Sequence, residues 1–225
     1  GKKMKQYERR ILNKKAYWIL ASVSLAVPLV FSLFFRLLGV DGATSLGPFP
    51  LTLSISIPAA ITLFIATIYV SWIVSYSVVY DYLPDKRSFL FSLPGGRTKV
   101  FQTKLHLHSA LGAGAVAIGF WISESIYCAV SGISLQTPLF YAAILAISVF
   151  SMAIIGACVG VISGSTRATV LNGIIWACLI PNALANSGPV WVSLIAGSST
   201  AVFCLGVAAV LGMLTRQKVR KIDCF

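Results

Sequence analysis

Side chains that could carry out chemistry are scarce in this chain. Its 225 residues include six acidic residues, two histidines and five cysteines. A membrane enzyme would need a cluster such as paired acids, a metal triad or a nucleophile beside a base, and no such grouping is evident. The chain also lacks a GxxxxGK[ST] phosphate-binding loop. We therefore expect no catalytic residues and no ATP hydrolysis by this chain itself.

The histidines and cysteines do not predict a metal site. His106 and His108 are spaced by two, so they point to different faces of a helix, which favours anchoring at the membrane interface over joint metal binding. Four of the cysteines fall within apolar runs, and no CxxC pair exists. Small apolar packing is therefore the expected role of these thiols, with neither a metal nor a disulfide.

The composition identifies an integral membrane protein. The chain is 57% hydrophobic and 11% charged, with a mean hydropathy of +0.87, whereas about a quarter of the residues in a soluble domain are charged. The apolar runs are continuous rather than alternating, which favours helices over a β-barrel. We predict an all-α protein with six transmembrane helices. These spans are placed at residues 17–38, 54–80, 105–130, 139–163, 168–185 and 191–214.

The basic residues fix the expected orientation. Every Lys and Arg except Arg36 lies before the first span, between the second and third, between the fourth and fifth, or after the sixth. The positive-inside rule then places both termini in the cytoplasm, in a multi-pass protein of the inner (cytoplasmic) membrane. The net charge of +12 reflects this asymmetry and attraction to anionic lipid headgroups rather than nucleic-acid binding.

Three regions are predicted along the chain. Residues 1–16 form an amphipathic interfacial helix, because Met4, Tyr7, Ile11 and Leu12 fall on one helical face; a frayed basic tail is the alternative. Residues 17–214 form the six-span domain, which includes a cytoplasmic loop at 81–104. Residues 215–225 form a basic cytoplasmic tail.

Polar residues inside the spans are functional suspects by default. Arg36 and Glu124 are both predicted near the outer leaflet, where they could pair across spans one and three or each reach the outer headgroups. A proton- or sodium-coupled carrier usually needs acids near the midplane or helices broken there, and the sequence shows neither clearly. Span four carries Gly156, Gly160 and Gly164 in two overlapping GxxxG steps, which predict close packing within the bundle or at a dimer seam.

The loop between spans two and three differs from the rest of the chain. Residues 88–93 are too apolar for a free cytoplasmic loop. Asp81 and Asp85 predict the start of a short helix, and residues 94–96 (Pro-Gly-Gly) stop it. Residues 97–104 then lead into span three as a basic helix. A short aromatic helix between two spans is typical of a docking element, unless it merely lies on lipid.

This loop resembles the corresponding loop of type-two permeases of ATP-binding-cassette (ABC) exporters. In those proteins an acid near the end of span two precedes an SLP-x-x-R motif and then a lysine entering span three. Here Asp81 or Asp85 takes the place of the acid, residues 92–94 with Arg97 that of the motif, and Lys104 that of the lysine. The basic amphipathic segment before span one, the six spans and both ends inside match that architecture as well.

Small members of that group include permeases that export amphipathic toxin peptides, such as phenol-soluble modulins, and bacteriocin self-protection permeases. The haem-exporter membrane subunit of cytochrome c maturation is similar in length and span count but departs more in the loop. The resemblance implies a homodimer, or a pair with a homologous permease, docked on two copies of a separate ATPase that alone binds ATP and Mg. It implies a coupling helix whose docking residues are Asp85, Arg87, Phe89, Leu90, Phe91, Leu93 and Arg97.

The implied pathway, between spans one, two and five, would suit an amphipathic peptide or lipid-like substrate. The pathway candidates are Thr52, Ser56, Thr62, Asn172 and Asn182. Most Ser and Thr side chains in spans only bond back to their own helix. The alternatives are a haem-exporter-type membrane subunit, an ATP-independent channel or secondary carrier, and a membrane scaffold or membrane enzyme.

Overall fold

A computed structural model describes residues 13–37, 49–84, 96–185 and 190–222, with side chains described from residue 54 in the second range. The described part of the chain is helical and contains no strand. Residues 1–12, which hold most of the predicted interfacial helix, lie outside it, as does the end of the predicted basic tail. The α-helices are α1 (Lys14–Leu37), α2 (Phe49–Val74), α3 (Arg97–Ser131), α4 (Gln136–Ser163), α5 (Thr166–Leu179) and α6 (Val190–Ile222).

Five helical segments are long and apolar enough to cross a membrane: Lys14–Leu37, Ser54–Tyr82, Arg97–Ser131, Gln136–Ser163 and Val190–Lys221. The prediction of an all-helical, multi-pass membrane protein is confirmed at this level.

The exception is α5, which corresponds to the span predicted at 168–185. Its 14 residues measure roughly 21 Å, less than the ~30 Å hydrocarbon core of a bilayer. The 3₁₀ turn Ile180–Ala183 continues it, because Pro181 has no N–H to donate and its ring disfavours another α-helical turn. The turn adds about 8 Å at roughly 2 Å per residue, so α5 and its extension together approach the length of a span.

The core of the bundle is α4, which packs against α2, α3, α5 and α6. In its most apolar 18-residue window 78% of the residues are buried, against 22% in the corresponding windows of α1 and α6. Tyr141, Leu145 and Met152 of α4 are among the largest fully buried side chains. By contrast α1 packs on α2 and α3, and α6 mainly on α4. The two outer helices therefore keep broad apolar faces of the kind that lipid covers.

Alternating helix directions gather the basic residues at one end of the bundle. Near that end Tyr17 of α1 contacts His108 of α3, and Lys218 of α6 donates to the Ile162 carbonyl of α4 at 2.8 Å. We call this the basic end; Arg36, at the end of α1, lies at the other end. The basic end carries Lys14, Lys15, Arg97, Lys99, Lys104, Arg167, Arg216, Lys218, Arg220 and Lys221.

Two glycines of the GxxxG pattern pack inside the bundle. A Cβ atom at Gly156 would lie 3.3 Å from the Thr169 methyl of α5, and one at Gly160 would lie 2.7 and 2.8 Å from the methyl groups of Val79. Gly164 instead ends α4 with a φ of +67°, the left-handed conformation common at helix C-termini. Of the two uses that the sequence left open, the structure shows internal packing for Gly156 and Gly160.

The end of α2 departs from regular α-helix. Residues Ser75–Val79 form a π-helical turn and Tyr80–Tyr82 a 3₁₀ turn. Short π-helical segments in long helices occur frequently at functional sites. Leu83 then becomes extended, as expected for the residue before Pro84. Asp81 itself lies in the last turn of the helix that span two forms. The short helix predicted to start within residues 81–85 stays a prediction, because residues 85–95 lie outside the described part.

Candidate functional site

The ends of α2 and α3 are joined at the basic end by three side-chain contacts. Asp81, in the 3₁₀ turn after α2, forms an ion pair with Lys104 of α3. The Tyr82 hydroxyl donates a hydrogen bond of 2.9 Å to the Arg97 carbonyl. The Tyr82 ring also packs edge-on against Phe101, with 5.3 Å between ring centroids. We call these five residues the clamp.

The clamp is largely shielded from solvent, and its ion pair is asymmetric. The Lys104 side chain is 7% exposed and that of Asp81 is 24% exposed; Tyr82, Arg97 and Phe101 are buried. A buried ammonium group without its counter-charge is strongly destabilising. Loss of the Asp81 carboxylate should therefore cost more stability than loss of the Lys104 ammonium, because Asp81 keeps more contact with solvent and can be hydrated without its partner.

The clamp stands where α3 begins. Gly96 has a φ of +76°, which glycine adopts at little energetic cost. The Val100 N–H donates to the Gly96 carbonyl at 3.2 Å, so α3 starts at Arg97. The prediction that residues 97–104 form a basic helix leading into span three is confirmed.

Residues 85–95 connect the two halves of the clamp. The chain leaves the described part at Pro84 and re-enters it at Gly96, close to the hydrogen bond between Tyr82 and Arg97. The connecting segment contains most of the predicted docking residues, and the coupling helix stays a prediction because that segment lies outside the described residues. The docking candidates concerned are Asp85, Arg87, Phe89, Leu90, Phe91 and Leu93.

The clamp contains three positions of the motif that resembles the loop of ABC exporter permeases, namely the acid, the arginine and the lysine. Of the two acids that could take the place of the motif acid, Asp81 contacts the motif lysine, Lys104, whereas Asp85 lies outside the described residues. Tyr82 and Phe101 were not predicted as site residues. Their proximity to motif residues in the sequence could have suggested them, because Tyr82 follows Asp81 and Phe101 lies one helical turn after Arg97.

A second buried polar site lies between α1 and α3, toward the end opposite the basic end. Glu124 of α3 is fully buried, and its Oε1 accepts a hydrogen bond of 3.1 Å from the Ser32 hydroxyl of α1. Its Oε2 has no hydrogen-bond partner in the described part of the chain. Arg36 lies one turn beyond Ser32 and is exposed. Burial does not support the expectation that Glu124 reaches the outer headgroups, and the contact seen for Glu124 is with Ser32.

The pathway candidates on α2 face the inside of the bundle. Ser56 and Thr62 are buried, and the Thr62 hydroxyl donates to the Pro58 carbonyl at 2.7 Å. Thr62 thus bonds back to its own helix, which is the usual role of threonine in a span. The side chain of Thr52 lies outside the described residues, although its backbone belongs to α2.

The pathway candidates on and after α5 are less buried than those on α2. Asn172 is half-buried, and its Oδ1 accepts a hydrogen bond of 3.1 Å from the Trp176 indole. Asn182 is exposed and donates to the Cys178 carbonyl at 2.8 Å. The hydrogen bonds of Asn172 and Asn182 are thus made within α5 and its extension, as that of Thr62 is made within α2.

The histidines do not form a joint site. The described ranges contain no group of three or more His, Cys, Asp or Glu side chains that could hold a metal ion. His108 is buried and bonded to the Tyr17 hydroxyl at 2.5 Å, so the prediction of interface anchoring is wrong for it. His106 is exposed and stacks on Phe150, with 6.5 Å between ring centroids.

Comparison with protein-family models, with curated proteins and with solved structures finds no match to this chain. The clamp, the buried carboxyl group and the sequence of residues 85–95 are therefore the features from which a function can be inferred.

Proposed function

We propose that this chain is the transmembrane subunit of an ATP-driven ABC exporter. In this proposal two copies, or one copy and a homologous permease, form a pathway for an amphipathic peptide or lipid-like substrate. A separate cytoplasmic ATPase, present in two copies, binds ATP and Mg²⁺. In this proposal the chain spans the inner (cytoplasmic) membrane, and the basic end of the bundle faces the cytoplasm, as the charge asymmetry favours.

The observation that carries the proposal is the clamp at the base of an apolar segment. Residues 88–93 read Ser-Phe-Leu-Phe-Ser-Leu, and an apolar run in a cytoplasmic loop favours burial against another protein. The acid and lysine of the resembled motif are in contact here, as Asp81 and Lys104. Because the clamp joins the two ends of this segment, a force applied to the segment would act on α2 and α3 together.

The packing of the bundle supports a mechanical role for the clamp. α2 contacts α1, α4 and α5, and α3 contacts α1 and α4. Movement of the clamp would therefore reach most of the bundle through directly packed helices. The π-helical turn Ser75–Val79 lies beside the clamp, and such turns occur frequently at functional sites, so we place a change in the geometry of α2 there. ATP-driven closure of the partner would bias such a two-state element.

The exposed face of α5 supports an amphipathic cargo. This face presents Leu171, Ile174, Ile175 and Leu179, with the half-buried Asn172 beside it. Such a wall, placed opposite the same wall of a second copy, offers apolar contact with few polar groups. It suits a lipid-like or amphipathic substrate better than a sugar or an ion.

Replacing Phe91 or Phe89 by aspartate is expected to abolish stimulation of the partner ATPase. A buried aromatic anchor typically contributes 2 kcal/mol or more to an interface, so we expect the affinity for the ATPase to fall by about thirtyfold or more. The measurement is ATPase activity and copurification in proteoliposomes. Phe91→Leu and Phe89→Leu are the matched controls, because they keep an apolar side chain and should retain most coupling. Normal coupling by the aspartate variants would refute docking through this segment.

A secondary carrier is the second candidate, and the buried Glu124 is the observation in its favour. An ionisable side chain buried between spans is a common element of proton-coupled transport. That mechanism predicts substrate flux through this chain alone in liposomes, driven by a pH gradient and lost in Glu124→Gln. The exporter proposal predicts no concentrative flux without the ATPase and ATP.

A further inference from the structure

A cleft on the surface of the bundle lies between α3 and α6, and residues of α4 form its floor. α4 packs closely against both helices, whereas α3 and α6 make few direct contacts with each other. The cleft has a volume of about 340 Å³. Its walls are formed largely by apolar residues, among them Leu105 of α3, Phe150 and Ile154 of α4, and Ala208 and Gly212 of α6.

The cleft continues into a wider, basic recess at the basic end. This recess has a volume of about 780 Å³, and the two spaces share Gln102, Met213 and Arg216. Lys99 and Arg220 also line the recess, and no acidic side chain lies among the described residues that line either space. The combined site is thus apolar within the bundle and positively charged where it opens.

Two cations of the recess are available to a ligand. Lys99 and Arg216 are exposed, and neither forms a hydrogen bond or an ion pair in the described structure, in contrast to Lys104 and Lys218, which are both bonded. A guanidinium beside an ammonium is a favourable arrangement for a phosphate group. Gln102 adds an amide that can donate to the same group.

We propose that this cleft binds an anionic phospholipid from the leaflet at the basic end. The headgroup phosphate lies against Lys99 and Arg216, and an acyl chain lies against Leu105, Phe150 and the small residues of α6. Charge complementarity selects an anion, while the apolar cleft selects one with a long hydrocarbon chain. Basic pockets between transmembrane helices at the cytoplasmic side bind lipid headgroups in this manner. This inference depends on the cleft alone and does not require the exporter proposal.

Lipid retention by the purified full-length chain tests the site. Native mass spectrometry or a lipid titration would compare phosphatidylglycerol with phosphatidylcholine of the same acyl chains. We expect tight binding of phosphatidylglycerol, and a loss of about thirtyfold in Lys99→Gln/Arg216→Gln, because each basic residue contributes about 1 kcal/mol. Lys14→Gln/Lys15→Gln removes equal charge at the same end outside the cleft, and should change the affinity by less than about twofold.

A second variant tests the apolar part with the charges intact. A Cβ atom at Gly212 would meet nothing within 4 Å, so Gly212→Leu fills the cleft without straining the bundle. It should lower phosphatidylglycerol binding, and inorganic phosphate should not compete. Equal binding of the two lipids, equal losses in both charge variants, unaltered binding by Gly212→Leu, or full competition by phosphate would each overturn the proposal.

Discussion

Asp81→Asn is expected to destabilise the protein by about 2–4 kcal/mol, because it leaves the Lys104 ammonium buried without its counter-charge. Removing one partner of a buried ion pair costs about 3–5 kcal/mol, and the partial exposure of Asp81 reduces that figure. The reverse change, Lys104→Met, should cost about 1 kcal/mol or less, since the remaining carboxylate can be hydrated. The order of the two effects follows from the asymmetric burial of the pair.

The measurement is the free energy of unfolding in mixed detergent micelles, with ATPase stimulation as the functional readout. Lys99→Met is the matched control, because Lys99 lies on the same helix and is exposed; its effect should stay within about 0.5 kcal/mol. The double variant Asp81→Lys/Lys104→Asp should recover part of the lost stability. If Asp81→Asn proved no more destabilising than Lys99→Met, the ion pair would not hold the clamp.

Gly119→Leu is expected to separate α1 from α3 and to destabilise the protein by about 3 kcal/mol or more. A Cβ atom at Gly119 would lie 2.6 Å from the Ala21 carbonyl oxygen and 2.9 Å from the Ser24 Cβ. The closest of these atoms belongs to the backbone of α1, so relief requires movement of the whole helix rather than a rotamer change. Overpacking a core costs about 1–3 kcal/mol when side chains can adjust, and here adjustment is more restricted.

Gly114→Leu is the matched control for that variant. Gly114 lies on the same helix, and a Cβ atom there would meet nothing within 4 Å. Leucine also has a better helix propensity than glycine, by just under 1 kcal/mol, so this variant should be neutral or slightly stabilised. Unfolding in detergent micelles, followed by tryptophan fluorescence, would compare the two. Equal stabilities would contradict the close approach of α1 and α3.

The helices could be predicted from the sequence because the membrane imposes a simple requirement. A spanning segment must be apolar over about 20 residues and must satisfy its own backbone, so continuous apolar runs predicted α1, α2, α3, α4 and α6. α5 was predicted less well, because hydropathy does not register the loss of a backbone donor at Pro181.

The clamp could be predicted only in part. Sequence reasoning singled out Asp81, Arg97 and Lys104 as motif positions, but the contact between Asp81 and Lys104 depends on how two helix ends meet in space. The same limit applies to Glu124, whose hydrogen bond to Ser32 depends on the packing of α1 against α3. Periodicity shows which face of a helix is apolar, yet it does not show which residue of another helix that face meets.

Buried polar residues were the least predictable from pattern. His108 lies at the end of a predicted span, where anchoring at the interface was the reasonable expectation, yet it is bonded to Tyr17 inside the bundle. The GxxxG steps on α4 left internal packing and dimerisation open, because a small-residue face is suited to either. Val79 and Thr169 show which contact two of those glycines make.

Site-specific photo-cross-linking from position 91 tests most directly the claim that an ATPase binds the segment held by the clamp. A photoreactive phenylalanine analogue replaces Phe91 in cells, and the same analogue at the exposed Trp121 of α3 serves as the control. The account predicts a covalent adduct between position 91 and a soluble protein that carries a GxxxxGK[ST] loop, with no such adduct from position 121. Adducts from position 91 with phospholipid alone would contradict it.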